Sequence, residues 1–148
     1  MHHSSMVAAM QASSAQQLRP LCEDALAALC DSRPEISLAL IATADARLLS
    51  SRTPAGMDAH RLAAMTSSLL ALGETLSREL SGGGCQSAML SMHNYTCAVV
   101  HIPRAHQSLV LAVGVRQTIM PALARRMALD LAEKISLALD ALEAGTPD

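Results

Sequence analysis

Between Asp58 and Leu80 the chain reads DAHRLAAMTSSLLALGETLSREL. Leu62, Met65, Leu69, Leu72, Leu76 and Leu80 recur at the 3/4 spacing of one helical face. This stripe predicts a helix that covers a sheet, with gross burial of roughly 10 kcal/mol at roughly 1.5–3 kcal/mol per large side chain, before entropy. Beside it runs a strip of mostly small residues: Ala63, Thr66, Leu70, Gly73 and Ser77. Small residues let a second backbone approach. The pattern therefore predicts two buried surfaces, the leucine stripe for the sheet and the small strip for a partner helix. The competing reading is a core helix with a loosely packed second face. Asp58 suits the N-cap, and Gly82-Gly83-Gly84 is expected to end the helix.

The flanking patterns alternate with a shorter period. Ile36–Thr43 and Arg47–Ser51 read as two strands joined at Ala44-Asp45-Ala46. Cys85–Met92 puts Ala88, Leu90 and Met92 on one face, and Cys85, Ser87, Met89 and Ser91 on a half-polar one, as an edge strand would. His93-Asn94 makes a two-residue hairpin turn. Tyr95–Ile102 and Ser108–Val115 are apolar on both faces, which calls for helices on both faces of the sheet. A last helix is expected over Ile119–Glu143, capped by Thr118 with Pro121 in its first turn. Ahead of the strands, Leu18–Cys30 reads as a short helix starting near Pro20 and stopped before Pro34. Residues 1–17, rich in Ala, Ser and Gln, read as a flexible tail, 18–143 as one domain, and 144–148 as a second tail. The order α-β-β-α-β-β-β-α, with hairpin-short links and no βαβ rhythm, predicts an α+β fold with a mainly antiparallel sheet.

Composition narrows the chemistry. The 148 residues suit one domain, and 51% hydrophobic against 16% charged residues is too apolar for disorder. Phe and Trp are absent and Tyr95 is the single aromatic, so the core is aliphatic and functions that stack bases are disfavoured. A net charge of −2 gives no pull toward DNA or an anionic membrane. No apolar run approaches the roughly 20 residues of a membrane span. MHHSSM lacks the features of a signal peptide and resembles a tag remnant. Cys22, Cys30, Cys85 and Cys97 form no CxxC pair, which points to reduced thiols in the cytoplasm.

The candidate reactive groups are thin. Cys85 follows three glycines, but His93 and His101 lie on or beside a hairpin with no orienting acid, so a structural thiol is expected. Cys85, Cys97, His93 and His101 match no zinc spacing, so no metal is expected. The glycine run follows a helix instead of preceding one, which argues against a phosphate cradle. No carboxylate pair is placed for acid–base work, no nucleotide-binding loop is present, and no cofactor is implied.

ALIATADARLLSS, HRLAAMTSSLLALGETLSREL, the meander ending SLVLAVGV and the long last helix together resemble the Roadblock family. These are the dynein light-chain relatives that include the bacterial polarity protein MglB. The resemblance spans about Leu18 to Leu142 and rests on pattern, not on a catalytic signature. One departure is Asp45-Ala46, where such proteins commonly carry Gly after Asp. Ala at positive φ is strained, so a different turn is expected. The resemblance implies a profilin-like, five-stranded antiparallel sheet with one helix on one face and two on the other. It also implies a homodimer with central helices antiparallel and first meander strands paired edge to edge. Ala63, Thr66, Leu70, Gly73, Ser77, Ser87, Met89 and Ser91 are the expected interface. It further implies a non-enzymatic adaptor or regulator of a Ras-like small GTPase or of a larger assembly. The resemblance places no residue of that contact; His60, Ser67, Glu74 and Arg78, read as exposed on the central helix, are the candidate docking residues. The alternatives are a small-molecule-sensing domain, which needs a cavity against the sheet, and a purely structural dimerisation module.

Overall fold

Strand-forming runs that are apolar on both faces can only be buried between two helical layers, and the chain is built that way. In the computed structural model, which describes residues 2–104 and 106–144 with side chains from Gln17 onward, the elements are α1 (His2–Ser32), β1 (Ile36–Thr43), β2 (Leu48–Arg52), α2 (Ala59–Leu80), β3 (Ala88–Ser91), β4 (Tyr95–Ile102), β5 (Leu109–Arg116) and α3 (Pro121–Ala144). The sheet is antiparallel throughout, in the order β2-β1-β5-β4-β3. This is the expected α+β, profilin-like arrangement.

Alternation divides the core in two. Ala39, Ile41, Ala98, Val100, Leu111 and Val113 point to one face and meet Cys22 and Leu26 of α1 and Ala124, Ala128 and Ile135 of α3. Leu40, Ala42, Val99, Val110 and Ala112 point to the other and meet Ala63 and Leu70 of α2. Burial pushes the Cys22 and Cys97 thiols up to about 11, so both are inert packing groups.

The ends of the elements differ from expectation in three places. α1 begins at His2 instead of Leu18, because the preceding segment has no Gly or Pro and is rich in the helix formers Ala, Met and Gln. Pro20 thus lies inside the helix and not in its first turn. α3 starts at Pro121, with the Leu123 and Ala124 N–H groups donating to the Met120 carbonyl, so Met120 takes the cap position expected of Thr118. β3 is shorter than Cys85–Met92, since residues 85–87 are tied elsewhere. Met1 and residues 145–148, most of the expected C-terminal tail, lie outside the described residues.

The β1–β2 turn also departs from expectation. Ala46 does take the left-handed conformation, φ 72°. Thr43 and Asp45 hold it there. The Thr43 hydroxyl donates to the Asp45 carboxylate and accepts from the Arg47 N–H at 2.9 Å, while the Ala46 N–H donates to the Thr43 carbonyl at 2.9 Å. The same hydroxyl holds the Asp45 carboxyl below the usual carboxylate range. Local hydrogen bonds thus offset the strain that Gly would have avoided.

Candidate interaction surface

The α2 helix is where sequence expectation and structure part most clearly. Asp58 caps it as expected, accepting from the His60 and Arg61 N–H groups at 3.1 and 3.2 Å. Its far end is closed by Ser81 at φ 53°, not by the glycines, with the Gly82 N–H donating to the Ser77 carbonyl at 2.8 Å. Between the caps, the two strips exchange roles. Ala63, Thr66 and Leu70 of the small strip are buried against the chain's own sheet. The leucine stripe faces outward, with Met65 53%, Leu72 67%, Leu76 60% and Leu80 71% exposed. Leu62 and Leu69, at its margin, are half-buried.

The reason is the bulk of the sheet beneath. Leu40, Val99 and Val110 already occupy that face, so α2 packs on it with Ala63, Thr66 and Ser67 beside one fully buried large side chain, Leu70. Gly73 belongs to the same logic: a Cβ there would stand 2.6 Å from Cys85 Sγ. The glycine admits the chain's own thiol, not a partner helix. Ser77 is likewise occupied within the chain, its Oγ accepting from the Gly84 N–H at 2.8 Å. Ala63, Thr66, Leu70, Gly73 and Ser77 therefore do not form an outward interface.

The segment entering β3 is fastened in the same way. Glu74 Oε1 accepts from the Cys85 N–H at 3.0 Å and lies 2.9 Å from His101 Nε2 on β4. The Cys85 amide, then the His101 side chain, hold the Glu74 carboxyl below the usual range. The other ring nitrogen, His101 Nδ1, is buried without a partner. Ser87, expected at the interface, instead accepts from Arg125 Nε of α3 at 3.1 Å, and Arg125 also reaches Gln86 Oε1 at 2.5 Å. Among the described residues, no three His, Cys, Asp or Glu side chains converge where they could hold a metal.

The expected docking residues scatter. His60 is exposed at the start of α2, and Arg78 is exposed near its end, donating to Thr75 Oγ1 at 3.2 Å. Ser67 is buried and donates to the Thr43 carbonyl at 3.4 Å. Glu74 is turned to its own chain, as above. These four do not make one docking face.

The surface that does assemble is apolar. Register pairs Leu90 with Cys97 and Ala88 with Val99, which puts Ala88 and Leu90 on the α2 side of the sheet. Met89 and Ser91, paired with Ala98 and Thr96, face the other side. Met89, Leu90 and Met92 are all exposed. A groove of about 630 Å³ between α2 and this edge is lined by Leu72, Leu76 and Leu80 on one wall and Ala88 and Met89 on the other. Stripe, groove and terminal strand thus form one continuous exposed apolar surface. The leucine spacing was visible in the sequence. Its outward orientation was not.

The comparisons fit this architecture. A family model described as the Roadblock/LC7 domain matches residues 23–114. The Roadblock/LC7 domain of Streptomyces avermitilis superposes with a TM-score of 0.66 at 18% identity, over 77% of this chain and 93% of that one. MglB of Myxococcus xanthus gives 0.67 at 13% identity, over 84% and 96%. A structure described as MglB with tetrameric arrangement gives 0.68 at 16% identity, over 81% and 90%. No curated protein sequence matches the chain. At these identities the superpositions speak for the fold, while the family model covers well over half of the 148 residues. The chain belongs to the Roadblock/LC7 domain family.

Proposed function

We propose that this chain is a homodimeric, non-enzymatic adaptor, joined through the outward stripe of α2 and the β3 edge, and that the dimer binds and regulates a Ras-like small GTPase. The carrying observation is the exposed row Met65, Leu72, Leu76 and Leu80, joined by the groove to Ala88 and Met89 of β3, whose edge also exposes Leu90 and Met92. A water-exposed apolar surface of this continuity is a protein interaction site by default. β3 carries no charge, so a second copy of the same edge can pair with it about a two-fold axis. The helix residues proposed for the interface are therefore the leucines, not the small strip, with Leu90 and Met92 beside them. Met89 and Ser91 enter through strand pairing.

The GTPase step rests on family membership, and the likeness to MglB, one form of which is described as tetrameric, supports self-association. A sensor domain would need a cavity against the sheet. Both sheet faces here are filled by helix side chains, which favours the adaptor. GTP turnover by purified Ras-like GTPases of the source organism tests the reading. The wild-type chain should change turnover of one of them, and a Leu76→Glu variant should not. Equal effects of the two proteins, or none from either, would count against it.

A further inference from the structure

The two terminal strands differ in charge. β3 and its immediate neighbours Ser87 and Met92 carry no charge, whereas β2 is bracketed by Arg47 and Arg52. A cleft of about 720 Å³ runs along β2, between α1 and the start of α2. Arg19 from α1 and His60 from α2 line it as well. None of Arg19, Arg47 and Arg52 forms an ion pair among the described residues, whereas Arg33, Arg104 and Arg126 each do. Glu23 and Asp24 lie on the α1 wall, so the lining carries three arginines against two carboxylates; Asp45, which also feels Arg47, is bonded to Thr43 in the turn and does not line the cleft. The register explains its shape. Ala42 pairs with Leu48 and Ile41 with Ser50, leaving Leu49 as an extra, bulged residue. Beyond the bulge, Ser50 and Arg52 face the α1 side, opposite Ile41 and Ala39.

We propose that this cleft takes an extended acidic segment of a partner protein, which adds to β2 as a sixth strand. A terminal strand presents unpaired N–H and C=O groups, which supply the directional bonds of strand addition. The flanking arginines select what is added. A second copy of β2 would set arginine against arginine, and like charges across a strand pair are destabilising. Glutamate or aspartate side chains would instead find cationic partners, with the strand-to-helix cleft giving them room. The charge that keeps this edge from pairing with itself is the feature that recognises an acidic strand. The uncharged β3 edge has no such selectivity. This site does not depend on the dimer or GTPase reading.

The test uses an acetylated, fluorescein-labelled peptide alternating glutamate and valine, with a lysine-for-glutamate counterpart, against the full chain. Anisotropy should show binding of the acidic peptide only. Raising salt from low to half-molar should weaken it at least ten-fold. An Arg47→Glu/Arg52→Glu variant, both positions exposed, should lose at least ten-fold while its melting temperature is held. Amide hydrogen exchange should slow at residues 48–52 and not at 88–91. Equal binding of the lysine peptide, retention of affinity in the double variant, protection at β3 instead of β2, or no binding of the acidic peptide would each overturn the proposal.

Discussion

Replacing Gly73 with Ala probes which way the small strip of α2 points. A Cβ at this position lands 2.6 Å from Cys85 Sγ and 3.5 Å from its Cβ, well inside van der Waals contact. Cys85 has little freedom to retreat, because its N–H is held by Glu74 at 3.0 Å and its thiol faces the Ser87 carbonyl at 3.6 Å. Overpacking of this kind costs about 1–3 kcal/mol. Against that, Gly→Ala inside a helix gains about 1 kcal/mol of propensity. The single change should therefore destabilise by about 1 kcal/mol. In a Cys85→Ala background the sulfur is gone, the clash disappears, and the same change should stabilise by about 1 kcal/mol. The double-mutant cycle then gives a coupling of about 2 kcal/mol between two residues of one chain. Urea denaturation of all four proteins, at several protein concentrations, measures it. If Gly73 instead served a partner helix, Gly73→Ala would lower the association constant and the cycle would show no coupling. That outcome would refute the orientation of α2 derived above.

Three further outcomes follow from the same packing. Ala46→Gly should stabilise the chain by about 0.5–1 kcal/mol, since relief of a left-handed alanine exceeds the extra unfolded-state freedom, and thermal melting measures the gain. Glu74→Gln should cost about 1 kcal/mol at neutral pH by weakening a charge-assisted bond to the Cys85 amide and the contact with His101. The Glu74 carboxyl is held below its ordinary range, so its contribution is present above that range and is lost as pH falls through the lowered value. Stability curves of wild type and variant should therefore converge in acid, and a constant gap down to low pH would contradict this. Asp58→Ala should cost about 1 kcal/mol by freeing the His60 and Arg61 amides, read by urea unfolding.

Much of the fold was legible from period alone. β4 and β5 read as strands buried on both faces, and their register bears this out, from Val99 against Ala112 to Val100 against Leu111. The edge position of β3 followed from its half-polar alternation. The phase of α2 was not legible. Two strips qualified for burial, and size favoured the leucines. The deciding fact lies in the sheet: Leu40, Val99 and Val110 crowd the α2 face, which takes Ala63, Thr66 and Ser67 with Leu70 as the one large side chain fully buried there. That crowding could have been inferred by asking which strand residues share a face before assigning the helix. The Glu74 bridge joins α2 to Cys85 and to β4, 27 positions away, and no local pattern announces such a contact.

On the reading proposed here, the outward leucines of α2, with Leu90 and Met92 at the β3 edge, join two copies of this chain. Light scattering of the purified protein, with a Leu72→Glu/Leu76→Glu variant alongside, tests it most directly. The wild-type protein should have a mass of about twice the 15.5 kDa chain, and the variant should be a folded monomer. Both positions face solvent in the single chain, so the two glutamates should leave its melting curve nearly unchanged. A wild-type monomer, or a variant that remains dimeric, would contradict it.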